Sequence, residues 1–525
     1  MVNRLPSEHH EGMSSDMGRK VSLYPAYMPR IATVDERYQS FNLEMLEVTG
    51  GRFWKPYEAA NSLPGDVASP PGDDATPAGM DPAVYQYRPP KDLTNRRLRL
   101  LAAALAPSYL RVSGTWANTV YLPADGEQVT RPPDGFTVVL TRDQWQHVLE
   151  FARAIGAPLV TSFAISSGVR DASGVWTTDQ AARILDLTDE LGGTLAAAEF
   201  MNEPTAALMG GAPEGYDAAA YGRDFRLFRS FMRDRAPEVT ILGPGSVGET
   251  VAGESALGYG TEGVLSTQEM LRDGGADVDA FSYHHYGAAS QRCAGVGMPR
   301  TTLAEALGEA WLSSTDQTLA FYRPLRDEFT PGKPFWLTET AQAACGGDPW
   351  SSTFIDSFRY LDQLGRLAKS GVSVVIHNTL AASDYALLDE RTYEPRPSYW
   401  AALLRSRTMG TTVLEAGVPI GQGLHVYAHS QRQHPGGVSV LVINTSPTDE
   451  HFLIVPAAGE RFTLSADEIE GRTVRLNGTP LRLGKDDELP ELHPVPSEAG
   501  SVSFAPATLT FITLPDADNT DTRFA

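Results

Sequence analysis

Two short segments carry the residue types that a carboxylate-pair reaction requires. Leu195 to Ala198 is a run of small apolar residues that reads as a buried strand, continuing to Met201 and ending in Asn202-Glu203-Pro204. Pro204 has no N–H to give to a ladder, so the strand stops there. Asn202 and Glu203 are left at the strand's C-terminal mouth, where barrel enzymes carry their chemistry. Pro334-Phe335-Trp336-Leu337-Thr338-Glu339-Thr340 repeats the layout, an apolar strand delivering a carboxylate at its end. Two glutamates presented in this way suit cleavage of a glycosidic bond with retention, one as acid and one as nucleophile, their carboxyls about 5–5.5 Å apart. Asn202 suits a hydrogen bond to the sugar 2-hydroxyl, a contact that strengthens in the transition state.

Only a fold can bring Glu203 and Glu339 together, and the intervening pattern supplies one. Strands are expected at 41–46, 109–112, 159–165, 195–201, 239–242, 280–286, 335–339 and 372–376. Helices are expected at 93–105, from Thr141 to Ala154, from Thr177 to Gly192, and at 221–235, 268–272, 312–329, 354–369 and 398–409. Thr141 with Gln144, and Thr177 with Gln180, have the spacing of capping boxes, and Gly156 suits a C-cap. Alternation of this kind implies parallel strands with helical crossovers, and eight units close into an α/β barrel. The glutamates then sit on strands four and seven, which face each other across the mouth. Residues 59–90, rich in Pro, Gly, Asp and Ala, are expected to form a long loop over that mouth.

After Gly410 the pattern changes to short strands at 426–427, 438–443, 452–455, 462–464, 474–476 and 509–514, the spacing of a β-sandwich. The organisation expected is a (β/α)8 barrel over 37–410 with an accessory C-terminal β-sandwich over 411–525. A strand within 21–36 joins the sandwich, and 1–20 form a disordered polar tail. No solenoid-length repeat is visible.

The chain has 525 residues and a formal net charge of −22, which disfavours nucleic acid and sulfated polyanions as partners. The densest basic cluster, Arg96, Arg97 and Arg99, reads as one solvated helix face. No run of about 18 apolar residues exists to span a membrane, and Met1 to Lys20 lack a signal-peptide core, so the protein is intracellular or its signal was removed before this numbering begins. The two cysteines, Cys293 and Cys345, form no Cys-x-x-Cys pair. They follow strands six and seven, whose loops lie side by side. A disulfide between them is feasible, and two buried thiols are the alternative. His284 and His285 are neighbours on a strand and point to opposite faces, so no metal site and no cofactor are expected.

Several segments in order resemble glycoside hydrolase family 79, the β-glucuronidase and heparanase family of clan A. They are Phe41 to Glu44, Leu110-Arg111-Val112-Ser113-Gly114-Thr115, Asn202-Glu203-Pro204, Tyr283-His284-His285-Tyr286, Glu339-Thr340 with Gly346-Gly347, and Tyr385 to Asp389 followed by Glu394 to Trp400. The resemblance implies that Glu203 is the acid/base, Glu339 the nucleophile and Tyr286 its hydrogen-bond donor. It implies that Glu44 and Asn202 hold sugar hydroxyls, and that Tyr385 with the backbone N–H groups of Gly346 and Gly347 receives a glucuronate carboxylate, as an anion-binding nest can. Cys345 stands where heparanases have an aromatic residue, and Glu44 where they have Asp. With the acidic charge balance, this favours exo cleavage of terminal β-D-glucuronides, 4-O-methylated forms included. The alternatives are endo-β-glucuronidase action of heparanase or hyaluronidase type, another clan A activity such as β-xylosidase or β-glucosidase, and a non-catalytic sugar-binding protein.

Overall fold

The computed structural model describes residues 21–57, 76–77, 80–129, 131–249, 264–294, 299–421 and 423–523. The polar tail expected at 1–20 and much of the loop expected at 59–90 lie outside the described residues.

Eight parallel strands close into a barrel: β1 (Gln39–Glu44), β2 (Leu110–Ser113), β3 (Leu159–Ser162), β4 (Leu195–Glu199), β5 (Thr240–Ser246), β6 (Ala280–His285), β7 (Phe335–Thr340) and β8 (Val372–His377). Each pairs with its sequence neighbours, and β8 closes on β1 with Val375 opposite Gln39. Strand alternation sorts the side chains. Phe41, Leu43, Leu110, Val112 and Leu337 point outward into the main core beneath the helices. Val160, Ala197, Leu242, Ala280, Trp336, Val374 and Ile376 form a separate apolar layer inside the barrel. Above that layer the inward positions turn polar, and the chemistry begins there.

Local signals account for several helix ends. Thr141 and Gln144 form the reciprocal capping box of helix 142–155, which stops at Gly156 in the left-handed conformation. The second capping box does not form. Thr178, not Thr177, is the N-cap of helix 179–190 and makes no side-chain cap bond. Gln180 instead accepts the Leu122 N–H at 2.8 Å, and Thr177 donates to the Val169 carbonyl at 3.0 Å. Strand β5 runs through Gly243-Pro244-Gly245 rather than ending before it. The described end of the 59–90 segment is not loop alone, since Tyr85–Arg88 pairs antiparallel with Gly51–Trp54 as a ribbon beside the mouth.

The C-terminal strands form a nine-stranded sheet and, with Val21–Ser22, a three-stranded sheet. The strand Met409–Leu414 starts directly after the last barrel helix, Pro397–Thr408, and pairs with Arg30–Thr33. The central strands of the larger sheet are buried on both faces. In Val438–Asn444, Val438, Val440 and Val442 pack toward the small sheet. Leu441 and Ile443 join the barrel core. On the barrel side, Tyr427 lies over Gly365, where an added Cβ would sit 2.4 Å from its ring, and the Tyr427 hydroxyl donates to Asp362 at 2.5 Å. Among the described residues no helix is long and apolar enough to cross a membrane.

Candidate active site

The polar layer is built around Arg111, which β2 points inward between the outward Leu110 and Val112. It is fully buried. Its Nη2 donates to Glu199 at 2.9 Å and to Asn202 Oδ1 at 2.8 Å, and its Nη1 donates to Glu339 Oε2 at 2.9 Å. Burial opposes its charge, but Glu199 and Glu339 outweigh that and hold it above its usual value. Glu199, inward on β4, also accepts from Thr338 at 2.8 Å. Burial would raise Glu199, yet the Arg111 charge overcomes it and leaves the carboxyl below its ordinary range.

Thr338 and Glu339 are consecutive on β7, yet both reach the barrel interior. Register shifts next to them, at Leu337/Thr340 against β8 and Tyr283/His284 against β6, break the alternation. A bulge of this kind re-aims a side chain near a strand end. Glu339 Oε1 accepts the Tyr286 hydroxyl at 2.7 Å. Glu203 follows β4 at φ 49°, a left-handed conformation that turns the chain into the short helix Pro204–Ala206.

Glu203 Oε1 lies 3.0 Å from His284 Nδ1. Arginine can only donate, and Arg111 Nη2 lies 3.4 Å from His284 Nε2. That nitrogen is therefore the acceptor, and Nδ1 carries the proton toward Glu203. Burial lowers His284 to about 4, so it is neutral. Burial also raises Glu203 to about 7, with Arg111 opposing and Glu199 assisting. His285 turns the other way, to Thr318 at 2.8 Å.

Donor atoms of Glu203, His284 and Glu339 all lie within 4.8 Å of one another. That spacing could receive a cation, but Arg111 already places a positive charge 2.9 Å from Glu339. The same spacing brings the two carboxylates close to the separation a retaining pair needs, about 5–5.5 Å.

Glu44 ends β1 and caps helix 45–49, its own N–H bound by Glu47 at 2.9 Å. Its Oε1 accepts from Asn378 Nδ2 at 2.9 Å, while the buried Oε2 has no partner among the described residues. Burial and the Glu339 charge push Glu44 well above its usual value. Asn378, just past β8, is the hub here. Its Nδ2 also lies 3.0 Å from the Tyr286 hydroxyl and 3.2 Å from the Tyr385 hydroxyl, and its Oδ1 accepts from Asn42 at 2.7 Å. Gly114 permits this arrangement, because a Cβ there would fall 1.6 Å from Glu44 Oε2.

Glu44, Glu203, Tyr286, Glu339, Cys345, Asn378 and Tyr385 line one cavity of about 730 Å3, its mouth included. Asn202, Gly346 and Gly347 are not among the lining residues. The Asn202 carbonyl oxygens bind Asn118 and Arg111. Cys345, Gly346 and Gly347 are three successive residues at positive φ (62°, 81° and 81°), and the Gly347 N–H donates to the Ala343 carbonyl at 3.2 Å. Of the two backbone donors expected for the carboxylate, the Gly346 N–H alone has no partner among the described residues. A disulfide joins Cys293 to Cys345, and Arg292 next to it donates to the carbonyls of Cys345 and Gly347 at 3.1 and 2.8 Å.

Reading the sequence for roles misses Arg111, Glu199, Asn378 and the part of His284. The signal for the first two is a charge inside an otherwise apolar strand, Leu110-Arg111-Val112 and Leu195 to Glu199. A buried charge there requires a partner.

No family model matches the chain. It is 26% identical over 475 residues to heparanase of Mus musculus, covering 79% of this chain and 84% of that protein. It is 24% identical over 472 residues to hyaluronoglucuronidase of Hirudo nipponia, covering 81% and 91%. Among solved structures, a 4-O-α-L-rhamnosyl-β-D-glucuronidase from Fusarium oxysporum 12S superposes with a TM-score of 0.62 at 12% identity, covering 94% of this chain and all of that one, which shows a shared fold. Similarity over about four-fifths of the sequence to a heparanase and a hyaluronoglucuronidase, beside a fold shared with a solved glucuronidase, supports a heparanase-like place for this chain in glycoside hydrolase family 79.

Proposed function

We propose that the protein is a retaining, exo-acting β-glucuronidase. The observation that carries this reading is the pair Glu203 and Glu339, with carboxylate oxygens within 4.8 Å of each other at the mouth of one barrel. Glu339 attacks the anomeric carbon while Glu203 gives its proton to the departing glycosidic oxygen. The C–O bond to the aglycone breaks as the Glu339 ester forms. Water then enters. Glu203, now a carboxylate, takes its proton, and hydroxide displaces Glu339 to release the sugar with its configuration retained.

Each glutamate's surroundings suit its part. Glu203, raised to about 7 mainly by burial, holds its proton below neutral pH and still in about half of the molecules at pH 7. The charge that adds to this shift is that of Glu199, not of the nucleophile as the pair alone would suggest. Arg111 and Tyr286 hold the two oxygens of Glu339 and fix its angle of attack. The unpartnered Glu44 Oε2 supports a contact to a sugar hydroxyl, and Tyr385 with the Gly346 N–H offers donors for the glucuronate carboxylate.

Assay of 4-nitrophenyl β-D-glucuronide beside the β-glucoside and β-xyloside, with proton NMR of the first-formed anomer, tests the reading. Turnover of the glucuronide to the β-anomer is expected. Inverted product, faster turnover of the xyloside or no turnover would overturn it.

A further inference from the structure

The leaving-group side of the cavity has a chemistry of its own. Thr205, two residues after Glu203, exchanges two hydrogen bonds with Val247. Its hydroxyl donates to the Val247 carbonyl at 2.8 Å and accepts the Val247 N–H at 3.0 Å. The loops after β4 and β5 are thereby locked together. Ala206, Met209, Val247 and Tyr286 form a small apolar cluster apart from the main core, and Met209 and Val247 line the cavity beside Glu203. Met80 and Trp116 line it as well. Trp116 packs edge-on to Phe53 with ring centroids 5.4 Å apart. Glu44, Asn378 and Tyr385, the polar group described above, line the same cavity.

The ionisable carboxyl groups lining this cavity have no basic counterpart among its described lining residues. Glu44, Glu203 and Glu339 line it, and none of its described lining residues is Lys or Arg. Arg111 lies beneath, already bound to Glu199 and Glu339. Residues 58–75 and 250–263, outside the described residues, contain no Lys or Arg in their sequence. A sulfated or otherwise anionic leaving chain would find no countercharge beside Glu203, whereas an apolar one would find a thioether, a branched side chain and an indole.

We propose that Met209, Val247 and Trp116 form a leaving-group subsite for an uncharged apolar aglycone, an alkyl or aryl group, so that the substrates are β-glucuronides of hydrophobic alcohols or phenols. This rests on the β-glucuronidase reading and narrows it.

The experiment compares kcat/KM for octyl and methyl β-D-glucuronide, whose leaving groups are both primary alkoxides, and for a sulfated oligosaccharide ending in β-glucuronate. One methylene buried in a fitted apolar site changes kcat/KM by about 10-fold or more. The octyl glycoside should therefore exceed the methyl glycoside by about tenfold or more, and the sulfated chain should be the poorest of the three. M209N should reduce the octyl-to-methyl ratio several-fold, and V247T, close in shape to the parent, should reduce it in the same direction if M209N does not fold. Equal octyl and methyl values, an unchanged ratio in both variants, or preference for the sulfated chain overturns the subsite and leaves the hydrolase reading standing. Failure to cleave any β-glucuronide removes the hydrolase reading, and the subsite falls with it.

Discussion

Replacing Arg111 separates a charge effect from a geometric one. Its guanidinium reaches Glu339, Glu199 and Asn202 at once. A charge-assisted hydrogen bond is worth about 1.5–3 kcal/mol. Losing the one to Glu339 should thus cost about 10- to 150-fold in kcat, at about 1.4 kcal/mol per decade. R111M also strips the partner from two buried carboxylates, a loss of about 3–5 kcal/mol in stability, visible as a lower melting temperature. The pH profile carries the more telling sign. Arg111 favours the charged form of Glu203, so it lowers that carboxyl. Without it the acid holds its proton to higher pH, and the basic limb of kcat/KM, expected near pH 7 in the parent from Glu203, should move upward even as the rate falls. R111K keeps the charge but not the fork, so it should lose rate with little movement of the limb. The assay is kcat/KM on an aryl β-glucuronide from pH 4 to 9 for the three proteins. A basic limb that stays in place or moves down in R111M, or a rate within twofold of the parent, would refute the reasoning.

Other expectations follow from the same geometry. E203Q should lower kcat by about 100-fold or more, the usual worth of a positioned acid/base, and should abolish the limb near pH 7. A profile still falling there would assign that limb to another group. G114A forces a Cβ onto Glu44 at a φ of 97°. It should raise KM more than it lowers kcat, at about 1–3 kcal/mol of stability, read by Michaelis kinetics beside a thermal melt. Cys293 and Cys345 lie 52 residues apart, so loop-closure entropy makes their bond worth about 4 kcal/mol. The C293S/C345S double variant should melt earlier and bind substrate more weakly, because Cys345 lines the cavity; unchanged KM would mean the surrounding Arg292 contacts suffice.

The barrel was legible because its signal is long. Eight apolar segments interleaved with helix-period segments leave few topologies. Glu203 and Glu339 could be singled out because each is a charge at the end of such a segment. Arg111 and Glu199 were hidden because their partners lie on other strands, Glu339 on β7 and Glu199 on β4 for Arg111, and Arg111 on β2 for Glu199, and pairings of that range have no local spacing. Asn378 carries no charge and sits in no motif, so only the closed ring shows what its amide reaches. The Thr177 box failed for a related reason. Its spacing was right, but Gln180 had a better use in the Leu122 N–H, a tertiary contact that the local pattern does not encode. The strand through Gly243-Pro244-Gly245 was likewise obscured, because turn chemistry in isolation is indistinguishable from a bulged strand held in place by its neighbours.

The seam between Arg30–Thr33 and Met409–Leu414 sets an order of events during synthesis. The residues just ahead of β1 emerge early and must wait for a partner made some three-quarters of the way along the chain. Val21–Ser22 waits longer still, for Leu453 and Ile454. A nascent barrel is therefore complete as a ring before its opening segment is moored, and the helices at 356–369 and 397–408 keep an oily flank uncovered until the later strands arrive. A shortened chain ending near 410 would be left with that flank exposed, which makes it a poor choice for isolating the barrel and a natural client for chaperones.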